Sequence, residues 1–345
     1  MISFKSDYEE GAHPRILEAL ARTNEDQTGG YGEDPHTQAA IRLIREQVGR
    51  GCFVTFISGG TLANLTVISH ALRPFEGAIS ADSGHIFGNE TGAIEATGHK
   101  VISCRGEEGK LTPDLIADAL NRYSFAPHVV RPKLVYLSQS TEMGTVYTKK
   151  EMEEIRAICD REGLYLYIDG ARLANGLALA DTPTLADLGE LADAFTAGGT
   201  KNGALFGEAV IIPNTALAAN FDHSLRQKGG MMSKGRILGI QFEELFRDDL
   251  YIRLGRHANR MAGIIREGLG QAGFAFMIDS PTNQQFPLFS DVEIEKLNEN
   301  YGSRFWARAD SSHAFVRLVT SWATKEENVR QFVRDALKLR KGGCS

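Results

Sequence analysis

Lys201 stands among small residues in Ala197-Gly-Gly-Thr-Lys-Asn-Gly203, directly after an apolar run. A lysine amine in a partly desolvated pocket has a lowered pKa and becomes a Schiff-base former; taken alone, a solvated turn lysine is the plainer reading. Asp169 opens Asp169-Gly-Ala-Arg172 behind the run Leu164-Tyr-Leu-Tyr-Ile168. A carboxylate at the end of a buried strand is costly unless it meets a cation or donors, and Arg172 could serve simply as its partner. Ser58-Gly59-Gly60-Thr61 follows another apolar run and opens an apolar helical stretch. Such a turn exposes backbone N–H groups at the positive end of a helix, which suits a phosphate, although a tight strand-to-helix turn needs the same glycines. It is neither a Walker loop nor a dinucleotide fingerprint. His85, in Ala81-Asp-Ser-Gly-His85, could stack on a ring, move protons or be structural, and Ser140-Thr-Glu142 ends a further run. The 32 residues from Asp169 to Lys201 make about one strand–helix–strand unit, which places both groups at one sheet edge. An amine, an anion and a phosphate cradle together are what pyridoxal phosphate requires.

The elements that must position these residues are legible as apolar runs rich in β-branched and aromatic residues. They fall near 52–57, 78–82, 100–104, 133–138, 164–168, 193–197 and 207–212, alternating with helical patterns. This predicts an α/β fold, with a mainly parallel seven-stranded sheet and helices on both faces, since near-continuous hydrophobicity implies burial on both sides. Thr148-Lys-Lys-Glu151 and Thr324-Lys-Glu-Glu327 fit capping boxes, and Thr112-Pro113 places proline at a first helical position. After about residue 234 the pattern changes to long helices, roughly 234–247 and 250–271. Shorter strands near 274–278, 303–308 and 314–319 and a terminal helix follow, so a smaller C-terminal α+β domain is expected. The predicted division is an N-terminal segment at 1–35 contributing to site and interface, a large cofactor-binding domain at 36–245 and a small domain at 246–345.

The 345 residues carry 38 Lys+Arg against 44 Asp+Glu, a net charge of −6, without the basic surplus that nucleic-acid binding needs. Cys52, Cys104, Cys159 and Cys344 lie far apart, with no metal-ligand spacing, and read as reduced thiols of a cytoplasmic protein with no metal site. The start at Met1-Ile-Ser-Phe-Lys-Ser-Asp7 lacks a secretory pattern. No Asp, Glu, Lys or Arg occurs between Arg50 and Arg73, but Ser58-Gly-Gly-Thr61, Asn64 and His70 suit a buried strand, turn and helix better than a membrane span.

Seven motifs in register, spread over nearly the whole chain, carry a family resemblance. They are Ser6-Asp7, Tyr31-Gly-Glu-Asp-Pro35, Gly60-Thr-Leu-Ala-Asn64, Gly84-His85, Asp169-Gly-Ala-Arg172, Thr200-Lys201 and Val316-Arg-Leu-Val-Thr320. The chain resembles the threonine aldolase and β-eliminating lyase family of pyridoxal-phosphate enzymes. The resemblance implies an aspartate-aminotransferase-like fold and a homodimer or homotetramer with active sites where subunits meet. It makes Lys201 the Schiff-base lysine, His85 the ring-stacking histidine and Asp169 the partner of the pyridine nitrogen, with Gly60 and Thr61 on the phosphate. Arg172 and Arg317, with Ser6, would grip the substrate carboxylate.

Two departures accompany the resemblance. Where the family's aldolases carry a histidine, this chain has Glu142, which could accept a hydroxyl proton or bind an amine instead. The segment supplying a phosphate contact from the neighbouring subunit reads Gly229-Gly-Met-Met-Ser-Lys-Gly-Arg236, leaving Lys234 or Arg236 for that contact. The expected reaction is cleavage of a β-hydroxy-α-amino acid, such as threonine or its allo isomer, to glycine and an aldehyde, with Glu142 or His85 as base. The alternatives are β-elimination or another lyase or transfer reaction on a different amino acid, and a non-catalytic binding protein.

Overall fold

The computed structural model describes residues 2–49 and 51–342. The seven apolar runs become β1 (Phe53–Ile57), β2 (Glu76–Ala81), β3 (Lys100–Cys104), β4 (Arg131–Ser138), β5 (Tyr165–Asp169), β6 (Ala194–Gly198) and β7 (Glu208–Ile212). They form one sheet in the order β1-β7-β6-β5-β4-β2-β3. Strands β2 to β6 are mutually parallel, whereas β7 is antiparallel to both β6 and β1. The sheet is therefore mainly parallel, as the sequence predicts, with one reversed strand that the hydrophobic pattern does not reveal.

Alternation along each strand divides the core in two. Val135 and Leu137 of β4 pack with Ile44, Met152, Ile155 and Phe242. Leu134 and Tyr136 point the other way, onto Val67, Ile68 and Phe221. Thr148 caps the helix Lys149–Glu162 in a complete capping box with Glu151. Thr112 caps Pro113–Arg122, with proline in the first turn. The charge-free stretch after residue 50 is β1 followed by the helix Gly60–Ala71, and among the described residues no helix is long and apolar enough to cross a membrane.

The helix Arg236–Phe246 and the 22-residue helix Leu250–Gln271 lead into a smaller set of strands. These are β8 (Gln284–Gln285), β9 (Leu288–Ser290), β10 (Arg304–Arg308) and β11 (His313–Val319). No strand forms at 274–278: Phe276 makes an isolated bridge to Pro287, and the ladder passes to β8 and β9, which pair with β11. The terminal helix begins at Glu326, and the Thr324 hydroxyl accepts the Ser321 N–H. At the other end of the chain, Ile2–Ser3 pairs parallel with Tyr301–Gly302, and Phe4 enters the core formed by Met261, Leu318 and Phe332. Cys104 and Cys159 are buried thiols; Cys344 lies outside the described residues.

Candidate active site

The parallel strands deliver their C-terminal ends to one edge of the sheet, where open α/β sheets bind ligands. Asp169 ends β5 and Ser138 ends β4, while Lys201 follows β6, the 58–61 turn follows β1 and His85 follows β2. These segments enclose a cavity of about 360 Å³ lined by Thr61, His85, Glu142, Asp169, Arg172 and Lys201, together with Gly60. Two glycines allow the strand ends to approach. A Cβ on Gly170 would stand 1.9 Å from the Thr196 carbonyl oxygen, and one on Gly198 would stand 2.5 Å from that of Ala171.

Asp169 is held by three donors. Its Oδ2 accepts from the Tyr136 hydroxyl at 2.6 Å and the Asn64 amide at 2.9 Å, and its Oδ1 accepts from the Ala171 N–H at 2.9 Å. Burial and the Asp169 charge push the Tyr136 hydroxyl well above its ordinary value, so it remains a donor. Asn64 also donates to Glu90 Oε1 at 2.7 Å, and the same oxygen stands 2.8 Å from His85 Nδ1. The histidine ring is thereby oriented through Glu90, a residue the sequence did not single out.

Glu142 is half-buried, with Oε1 accepting from the His85 main-chain N–H at 3.0 Å and the Ser138 hydroxyl at 2.8 Å. Its Oε2 finds no hydrogen-bond partner among the described residues. Burial raises its pKa, against the pull of the Ser138 hydrogen bond. Lys201 is shifted the opposite way: burial and the Arg172 charge lower it, opposed by Asp7, Asp169 and Glu208. A lysine of this kind reaches the neutral, nucleophilic form more readily than one in water.

Arg172 is bound to Asp7, with Nε to Oδ2 at 2.6 Å and Nη2 to Oδ1 at 3.0 Å, and Asn283 donates a further bond to Asp7 at 2.9 Å. Burial would raise the Asp7 carboxyl, but Arg172 and Lys201 outweigh it and hold it below its usual value. Ser6 and Arg317 are buried outside the cavity wall. Arg317 Nη2 donates to the Lys5 carbonyl at 3.3 Å, and burial with the Arg172 charge pushes its pKa down to about 10. The structure does not bring Arg236 to the cavity of its own chain: its guanidinium donates to the carbonyls of Asp26 and Thr23. Lys234 is exposed in the same segment.

The sequence also passed over Glu208, which lines the cavity from the first position of β7. The search for polar residues at strand C-termini could not find it, because β7 runs in reverse. The available signal was an acidic residue heading the apolar run Glu208-Ala-Val-Ile-Ile212.

The residues present fit pyridoxal phosphate. A Cβ on Gly59 or Gly60 would meet nothing within 4 Å, so the first turn of the helix Gly60–Ala71 offers its unpaired N–H groups to open space. Asp169 and Lys201 line the same space.

The beta-eliminating lyase family model matches residues 3–327. The low-specificity L-threonine aldolase of Pseudomonas aeruginosa is 35% identical over 337 residues, covering 96% of each chain. A solved threonine aldolase from Leishmania major superposes with a TM-score of 0.97 at 46% identity, covering 98% of this chain and 99% of that one. A Thermus thermophilus aspartate aminotransferase variant superposes at 0.70 with 16% identity, covering 98% and 96%, a likeness of fold.

Proposed function

Because the chain belongs to the beta-eliminating lyase family, we propose an assignment of its cavity residues to the steps of an aldolase reaction. The protein is a pyridoxal-phosphate-dependent carbon–carbon lyase of the threonine aldolase type, cleaving a β-hydroxy-α-amino acid to glycine and an aldehyde. The bound cofactor supplies an electron sink for the pair released from the Cα–Cβ bond. Lys201 would hold its aldehyde carbon, Asp169 its ring nitrogen, His85 its ring face and Gly60 with Thr61 its phosphate.

Arg172 binds the substrate carboxylate from the cavity wall, with Ser6 and Arg317 behind that wall supporting the same end of the site. Asp7 fixes the Nε and Nη2 side of the Arg172 guanidinium, which leaves the Nη1 end for the substrate. Glu142 takes the β-hydroxyl proton; its Oε2 has no hydrogen-bond partner among the described residues. Ser138 and the His85 N–H hold the other oxygen and fix the direction of the lone pairs. Glu90 keeps the His85 ring in place. Positioning and electrostatics are the contribution of these side chains.

The assembly is a homodimer or homotetramer, with the site completed at a subunit interface. What supports this reading is the set of large apolar side chains left open on the single chain. Tyr8 lies on the cavity and Leu205 on the loop carrying Lys201, while Tyr31 meets the 229–236 segment through its N–H to the Ser233 carbonyl. Lys234, exposed there, is better placed than Arg236 to reach a partner's phosphate site. The chain divides into a segment at 1–35, a large domain at 36–245 and a small domain at 246–345, and its buried reduced thiols suit the cytoplasm.

The observation that carries the assignment is the convergence of Lys201, Asp169 and the Gly60–Thr61 turn on one cavity. Lys201→Ala is expected to lose both the visible absorbance of bound cofactor and threonine turnover. Normal turnover in that variant would overturn the assignment.

A further inference from the structure

Glu208 is buried in the cavity wall, and none of the steps above uses it. Because β7 runs opposite to its neighbours, it begins where they end. Its register sets Glu208 across from Ile57 at the end of β1 and from Gly198 at the end of β6. The next residues along those strands are the 58–61 turn and the loop leading to Lys201. Glu208 therefore stands between the anion-binding turn and the lysine.

Its Oε1 accepts from the Thr200 hydroxyl at 3.1 Å, and that hydroxyl accepts the Gly207 N–H at 2.9 Å. Its Oε2 is buried and finds no hydrogen-bond partner among the described residues. A carboxylate left in that state is costly, whereas a carboxylic acid is not. The titratable groups that act on Glu208 are Lys201, Asp169, Tyr167 on β5 and Tyr251 on the long helix. Burial pushes both phenols well above their ordinary value, so they stay neutral. Asp169 accepts its three hydrogen bonds within the protein, and Lys201 is the cation that faces Glu208 across the cavity. Burial drives the Glu208 carboxyl up to about 8, with Lys201 opposing and Asp169 adding to the rise.

We propose that Glu208 is a positioning residue for Lys201, the two facing one cavity and titrating as a single electrostatically coupled pair. Between them the pair then holds one proton over the neutral range, either as Lys201–NH3+ with Glu208–COO− or as Lys201–NH2 with Glu208–COOH, the total charge being the same in both. The lysine can then present a neutral amine, with its lone pair available to a carbonyl carbon, at a pH where an isolated ammonium would hold its proton. The proposal rests on Lys201 being the amine that holds the cofactor.

The test uses the full chain freed of cofactor, as wild type, E208Q, E208D and K201A. Two rates are followed across the neutral and alkaline range: acetylation of Lys201 by trace acetic anhydride, read by peptide mass spectrometry, and pyridoxal phosphate uptake, read by absorbance. In the wild type, acetylation is expected to rise in two shallow steps, because a coupled pair titrates as a unit. In E208Q it should follow one site, falling about tenfold for each pH unit below the midpoint, and cofactor uptake should follow the same curve. E208D should keep the two-step shape. A single-site curve in the wild type, or an E208Q curve of wild-type shape, overturns the proposal. Should E208Q fail to fold by circular dichroism, the wild-type and E208D curves decide it. Cofactor uptake by K201A with the wild-type spectrum would remove the assignment of Lys201 itself, while the acetylation curves would still judge the pair.

Discussion

The division of labour among the cavity's carboxylates follows from what each oxygen touches. Asp169 accepts three hydrogen bonds, whereas Glu142 keeps one oxygen without a partner among the described residues and has its pKa raised by burial. A base must be deprotonated to act, so kcat should rise with pH through the raised Glu142 value and level off above it. Glu142→Gln should lower kcat by about 10²- to 10⁴-fold, leave cofactor affinity unchanged and abolish that acid limb. An aldehyde-release assay across pH checks this, and an acid limb surviving in the variant would assign the base to His85. Asp7 plays a structural part in the same site. Asp7→Asn would leave the buried Arg172 cation without its anion, a change that typically costs about 3–5 kcal/mol. Because its folded pKa lies below the ordinary 3.8, the Asp7 contribution is present above that value and is lost as pH falls. Denaturant unfolding of the variant should lack that acid-side decline. Lys201, Asp169, Thr61, His85 and Glu142 were legible because each follows an apolar run at the edge where parallel strands end. Glu90 was not, and Asp7 entered only within the Ser6-Asp7 motif with no role of its own, since both act on other site residues through contacts that no local pattern encodes.

The elements that hold these groups in place depend on close backbone approach. Gly170 joins β5 to the Arg172 turn, where a Cβ would overlap the Thr196 carbonyl at 1.9 Å, so Gly170→Ala must part the ends of β5 and β6. That variant is expected to lose cofactor affinity, measured by absorbance titration, together with stability. Gly270→Ala is the control: it lies in the long helix with nothing within 4 Å of its Cβ, and should stabilise by about 0.5–1 kcal/mol. Equal effects from the two substitutions would remove the steric argument. Strand positions came through from the sequence because β2 to β6 are buried on both faces and need unbroken apolar runs. Strand direction did not, because β7 has the same composition whichever way it runs. The strand expected at 274–278 failed for a related reason: apolar content marks burial, while ladder length depends on a partner, and here the partner pairs with 284–285 and 288–290 instead.

Across the whole molecule, the first residues of the chain connect the small set of strands to the catalytic edge of the large sheet. Phe4 is fully buried between Tyr301 and Phe332, with ring centroids at 6.4 and 5.3 Å, and its carbonyl accepts the Val319 N–H at 2.8 Å. Three residues further on, Asp7 grips Arg172, and the Lys5 carbonyl accepts from Arg317. Both arginines assigned to the substrate carboxylate are thus tied to one short segment, whereas Lys201, Asp169 and the 58–61 turn are carried by the sheet alone. Loosening that segment should damage substrate binding before cofactor binding. Phe4→Ala is expected to cost about 3–5 kcal/mol in unfolding experiments, to raise KM for threonine and to leave the dissociation constant for pyridoxal phosphate close to wild type. If KM and the cofactor constant rise together, the segment braces the whole cavity and not the carboxylate end. If stability falls while KM holds, Asp7 and the two arginines keep their places without the Phe4 anchor, and the link between the N-terminal segment and substrate recognition fails.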